Sequence, residues 1–134
     1  MARLETIEGI GPVYADKLRA AGLGSVEALL RAGATPQGRR QLAESTGIGD
    51  EYILDWVNRA DLMRVRGVGE EYSDLLEKAG VDTVVELAQR NPDNLHEKLL
   101  QVNAEKRLVR RPPSRAMVAS WVEQAKVLAR IMSY

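Results

Sequence analysis

The chain has 134 residues, 45% hydrophobic and 28% charged, as expected of a globular protein able to bury a core. Equal numbers of basic and acidic residues give a net charge of zero, which argues against a uniformly basic nucleic-acid-binding protein but not against a local basic face. The absence of cysteine excludes disulfides and thiolate sites, and the lack of a leader or a membrane-length apolar run leads us to expect a cytoplasmic protein.

The predicted elements, in chain order, are all helical. Cap residues and first-turn prolines mark the helix starts: Pro12, Thr35–Pro36, Thr83–Glu86, Asn91–Pro92 and Ser114. Apolar residues recur between these starts at helical spacing, and no segment alternates as a strand does. We therefore expect an all-α protein of about nine short helices.

The chain also contains an internal repeat. When the sequence is shifted by 58 residues, nine of the 24 positions in IEGIGPVYADKLRAAGLGSVEALL are identical. A second match, at a shift of 65, aligns YILDWVNRADLM with MVASWVEQAKVL and pairs Trp56 with Trp121. The larger shift indicates about seven extra residues in the middle of the second half. We therefore expect two pseudo-symmetric halves, residues 1–64 and 65–134, that form one compact domain.

Three segments carry two glycines separated by one hydrophobic residue, directly before a predicted helix. The pairs are Gly9 and Gly11, Gly47 and Gly49, and Gly67 and Gly69. Glycine takes a positive φ at no steric cost, so each pair suits a tight corner between two helices. The first backbone N–H groups of a helix have no intrahelical acceptor, and such a corner can receive a phosphate.

This pattern, seen in IEGIG, STGIG and VRGVG, resembles the helix-hairpin-helix motif. The fourth equivalent position reads RPPSR, where Pro112 and Ser114 replace the glycines, and departs from the motif. Nearly the whole chain is similar to an uncharacterised bacterial family of duplicated helix-hairpin-helix units. Segments such as IEGIGPVYADKL and LVRRPPSRAMVASWV carry this resemblance. The resemblance implies a fold of tandem helix-hairpin-helix units. Helix-hairpin-helix proteins commonly bind nucleic-acid backbones without sequence specificity, but the resemblance to this family implies no particular activity.

The residues after the glycine pairs weigh against phosphate at those corners. Gly69 is followed by two glutamates and Gly49 by an aspartate and a glutamate. These carboxylates stabilise their own helix starts and would repel an anion. At the first corner Pro12 lacks an N–H group, and the next residue, Val13, is not basic. The glycines therefore either bind phosphate or simply form helix corners.

The stronger candidate for an anion site is the basic segment, residues 106–115, KRLVRRPPSR. It contains five cations and no acid: Lys106, Arg107, Arg110, Arg111 and Arg115. Ser114 is expected to cap the last helix beside them, where a phosphate or carboxylate would find both N–H groups and guanidinium groups. Arg39 and Arg40 lie at a comparable place in the first half and would extend the patch. The alternative is a solvated loop whose arginines pair with acids of the first half.

The repeated aromatic residues and the single histidine are weaker candidates. Tyr14, Tyr72, Trp56 and Trp121 could stack on bases, but each lies on an apolar helix face, so we expect core packing. His96 is the only histidine, which is too little for a zinc site, and we expect it at the surface.

These observations favour a binding module over an enzyme. With a single histidine in the chain we do not expect a Ser-His-acid set. The glycine pairs follow no predicted strand, so they do not match the strand–turn–helix setting of a dinucleotide-binding motif. We expect weak, sequence-independent binding of a nucleic-acid backbone through the corners and the basic segment, with no metal, cofactor, membrane or small-molecule substrate. The alternative is a protein-interaction or scaffolding module in which the basic segment meets an acidic protein surface or a second copy.

Overall fold

A computed structural model describes residues 2–134. These residues form eight α-helices, one short 3-10 helix and no strand, which confirms the all-α prediction. None of the helices within these residues has the length and apolar character needed to cross a membrane. The fold divides into two compact units: residues up to Asp61 together with Ile131–Tyr134, and Leu62–Arg130. The sequence repeat placed the boundary at 64 and did not assign the last four residues to the first unit.

The first unit begins with the 3-10 helix and continues through four α-helices. Their bounds are Leu4–Thr6 for the 3-10 helix, Pro12–Ala20 for α1, Val26–Ala32 for α2, Pro36–Thr46 for α3 and Asp50–Leu62 for α4. The hydroxyls of Ser25 and Thr35 accept N–H groups in the first turns of α2 and α3, which explains where these helices begin. The large buried side chains of this unit are Leu4, Ile7, Leu18, Leu29, Ile53 and Trp56.

The second unit contains the remaining four helices. Their bounds are Glu70–Lys78 for α5, Val84–Ala88 for α6, Pro92–Lys106 for α7 and Arg115–Val127 for α8. The side chains of Thr83, Asn91 and Ser114 cap α6, α7 and α8, as the sequence predicted. Helix α8 packs against both α6 and α7, and its buried Trp121 joins a hydrophobic core with leucines of α5 and α7.

The helices of the second unit differ in length from their counterparts in the first. Helix α6 has five residues where α2 has seven, and α7 has 15 residues where α3 has 11. Three residues, 47–49, connect α3 to α4, whereas eight residues, 107–114, connect α7 to α8. The extra residues are therefore divided between α7 and the connection that follows it. As a result, α7 ends at a left-handed residue, Arg107, with φ 51°, whereas Pro112, which the alignment places opposite Gly47, lies within the connection.

Candidate functional site

The glycine pairs form corners whose first glycine has a positive φ. The φ angles are 97° at Gly9, 73° at Gly47 and 95° at Gly67, in a region that other residues rarely adopt. The hydrophobic residue between each pair of glycines is buried: Ile10, Ile48 and Val68. Each corner is thus attached to the core by one side chain, while both of its glycines are exposed.

A tryptophan lies against two of these corners. A Cβ atom added at Gly9 would lie 3.1 Å from Trp56 Nε1, and one at Gly67 would lie 3.2 Å from Trp121 Nε1. Gly11 and Gly69 are the N-caps of α1 and α5 and carry no side chain that could accept the first N–H groups. Both helix starts therefore have first-turn N–H groups without a side-chain cap.

The aromatic residues pack as the sequence predicted. Trp56 and Trp121 are almost fully buried. The ring of Tyr14 lies 5.0 Å from Trp56, and the ring of Tyr72 lies 5.2 Å from Trp121, measured between centroids. The two tyrosines are half-buried.

The basic segment is held in place by a buried asparagine. Asn103, on α7, donates from Nδ2 to the carbonyl of Val109 at 3.1 Å and accepts the N–H of Val109 through Oδ1 at 2.9 Å. Asn103 is 9% exposed, and the Val109 side chain is buried beneath the segment. Because both backbone groups of Val109 are satisfied by one side chain, the middle of the segment has a defined position.

Two further side chains bond to backbone carbonyls of the basic segment. The Tyr72 hydroxyl, on α5, donates to the carbonyl of Arg111 at 2.9 Å. His96 Nε2, on α7, lies 3.1 Å from the carbonyl of Pro113. A carbonyl only accepts, so this nitrogen carries the hydrogen. His96 was expected to be an isolated surface residue; it is instead half-buried and positions the segment.

Four cations of the basic segment are exposed and unpaired. Lys106, Arg107, Arg110 and Arg111 form no ion pair with any carboxylate of residues 2–134. Arg115, by contrast, donates a hydrogen bond to Asp93 on α7. That hydrogen bond lowers the pKa of Asp93 and raises the pKa of Arg115. The charge of Arg115 is therefore already partnered.

A cleft of about 570 Å³ opens between the basic segment and the start of α5. It is called the Glu71 cleft here, and its lining residues are Glu71, Asn103, Arg107, Leu108, Val109, Arg110 and Pro112. Its volume lies within the range of roughly 300–1,000 Å³ that is typical of ligand pockets. Two cations of the segment, Arg107 and Arg110, thus share one surface of the second unit with the Glu71 carboxylate at the start of α5.

Arg39 lies outside any exposed patch, contrary to the expectation from the sequence. Its side chain is 8% exposed, and its guanidinium donates to the carbonyls of Gly33 at 2.7 Å and Ser133 at 2.9 Å. The guanidinium also lies 5.7 Å from the ring centre of Tyr134. Burial lowers the pKa of Arg39. Arg39 therefore attaches the last residues of the chain to the first unit, while Arg40 is exposed.

Two contributors to this surface, Asn103 and the hydroxyl of Tyr72, were not predicted from the sequence, and Glu71 was placed only at the start of a helix. The position of Asn103 could have been noticed in the sequence, because it lies four residues after Leu99 on the apolar face of α7. A polar residue buried on such a face needs a hydrogen-bond partner. No sequence pattern predicted that Glu71 would line the cleft, because its position there depends on the packing of α5.

The chain belongs to the family described as Domain of unknown function (DUF4332), which matches residues 8–128. Comparison with curated proteins found no match, and neither did comparison with solved structures. Within residues 2–134 no three His, Cys, Asp or Glu side chains are grouped in a way that would hold a metal ion.

Proposed function

We propose that this DUF4332 chain is a non-enzymatic module of tandem helix-hairpin-helix units that binds nucleic-acid backbones without reading sequence. One observation carries the proposal: four exposed cations have no carboxylate partner among residues 2–134, and they extend from a segment held by side-chain hydrogen bonds. An unpaired guanidinium on a fixed backbone binds a phosphate without first breaking an ion pair, and the backbone loses little conformational entropy.

The corner geometry supports helix-hairpin-helix units in both halves. The same combination occurs twice: a glycine with φ near 95°, a buried hydrophobic residue, a second glycine at the N-cap, and a tryptophan nitrogen against the first glycine. Two segments that form the same positive-φ turn with the same residue types are best explained as copies of one unit, which supports two pseudo-symmetric halves.

The charge distribution supports a local backbone contact. The basic segment contributes five of the 19 basic residues of a neutral chain and contains no acid. If its four unpaired cations each contact a phosphate, log affinity should fall with log salt with a slope of about −3 to −4. Arg39 contributes nothing to this slope, because its guanidinium is bonded within the first unit.

The test is a salt titration of binding to a short mixed-sequence duplex and to a single strand, followed by fluorescence anisotropy. The Arg110→Glu/Arg111→Glu variant is compared with Arg31→Glu/Lys98→Glu, which changes net charge equally at exposed positions outside the segment. We expect the first variant to lose at least about tenfold in affinity at about 50 mM salt and the second to lose much less. Equal losses in both variants, or no binding by the folded wild type, would contradict the proposal.

The alternative is a protein-interaction or scaffolding module, and one observation favours it. Glu71 lies among the cations of the cleft, and Asp93 already pairs with Arg115, so the surface presents mixed charge. A mixed surface suits an acidic protein segment that also carries hydrogen-bond donors. Absence of nucleic-acid binding, combined with self-association that Arg110→Glu/Arg111→Glu abolishes, would support a second copy of the chain as the partner.

A further inference from the structure

The Glu71 cleft holds charges of opposite sign that do not pair with each other. Arg107, Arg110 and Glu71 line the same cleft, yet Glu71 forms no ion pair with any cation of residues 2–134. A surface that contacts only phosphate gains nothing from a carboxylate, because the carboxylate repels the ligand. The arrangement therefore suits a ligand that brings an anion to the arginines and hydrogen-bond donors to Glu71.

Nucleic acid provides both groups only where a base is unpaired. In a duplex the Watson–Crick edges bond to each other, so a carboxylate beside the backbone finds few free donors. In a single strand those edges are free. Guanine carries two adjacent donors, on N1 and N2, which match the two oxygens of one carboxylate. The other bases do not offer two donors side by side on that edge.

The rest of the lining suits the body of a nucleotide. Leu108 is half-buried and Pro112 exposed, and both supply apolar surface next to the charged groups. Asn103 is held in place by two hydrogen bonds to the backbone of Val109, so it fixes the shape of the cleft. The volume of about 570 Å³ is sufficient for one nucleotide.

We infer that the Glu71 cleft binds one unpaired guanine nucleotide of a single strand, with its phosphate on Arg107 and Arg110 and its N1–H and N2–H groups on Glu71. The inference rests on the proposed backbone binding and adds a base preference to it. The chain should bind single strands that contain guanine more tightly than strands of thymine alone. Glu71 is then a specificity-determining residue, while the two arginines supply affinity for any strand.

The experiment measures the affinity of the full chain for thymidine strands of about 12 nucleotides that carry one central guanosine, one central inosine or none. We expect the guanosine strand to bind about tenfold more tightly than the all-thymidine strand, as a good bidentate base contact predicts. Inosine lacks the N2 amino group and should lose most of that gain.

Two variants separate base recognition from a general effect of charge. Glu71→Gln should remove the guanosine preference while the all-thymidine strand binds at least as tightly as to the wild type. Glu105→Gln removes a charge at an exposed position outside the cleft lining and should keep the preference. Equal affinity of the wild type for all three strands, or a preference that survives Glu71→Gln, overturns the inference and leaves backbone binding intact. Failure to bind any strand overturns the proposed function and the inference together.

Discussion

Replacing Arg39 with alanine should destabilise the first unit. The substitution removes a buried guanidinium that donates to the carbonyls of Gly33 and Ser133 at 2.7 and 2.9 Å. Hydrogen bonds to charged groups contribute roughly 1.5–3 kcal/mol each. Part of this gain is offset by the cost of burying the charge, the same desolvation that lowers the pKa of Arg39. The free energy of unfolding should therefore fall by about 2–4 kcal/mol.

Urea unfolding measures this change, and the neighbouring residue provides the control. Arg40 is exposed, so Arg40→Ala should stay within about 0.5 kcal/mol of the wild type. Tyr134 packs on the Arg39 guanidinium, and the costs of Arg39→Ala and Tyr134→Ala should be non-additive by more than about 0.5 kcal/mol. An Arg39→Ala protein as stable as Arg40→Ala would refute the reasoning, and strictly additive costs would show that the Arg39 guanidinium and the Tyr134 ring do not stabilise each other.

Two further predictions concern a corner and an ion pair. Gly67→Ala should lower the free energy of unfolding by about 1–2 kcal/mol, because φ is 95° and the new Cβ would lie 3.2 Å from the indole nitrogen of Trp121. Gly69→Ala should lower it by at most about 0.5 kcal/mol, because φ is −111° and the new Cβ would have nothing within 4 Å. Equal melting temperatures for the two variants would contradict this. The hydrogen bond from Arg115 lowers the pKa of Asp93 below its ordinary 3.8, so its stabilising contribution is present above that value and disappears as pH falls through the lower folded pKa. Asp93→Asn should reduce this acid sensitivity, and an NMR titration that places the Asp93 pKa at or above 3.8 would show that the pair does not form.

Local features of the fold were readable from the sequence. Ser114 caps α8 through a bond to a residue three positions away, and Gly9 and Gly67 adopt the positive φ that glycine permits. Such interactions depend on neighbours in the chain, so residue type and spacing predict them. The basic segment was predicted for the same reason, because its cations lie close together in the sequence.

The surroundings of individual charges were decided only by the tertiary structure. Arg39 and Arg40 are adjacent in sequence, yet one is buried against Ser133, 94 residues away, and the other is exposed. From the sequence, Glu71 was interpreted as a carboxylate at a helix start. Only the packing of the second unit places it in a cleft with Arg107. Helices and corners arise from contacts within one turn of chain, whereas burial and charge partnership arise from contacts between distant segments, which no local pattern encodes.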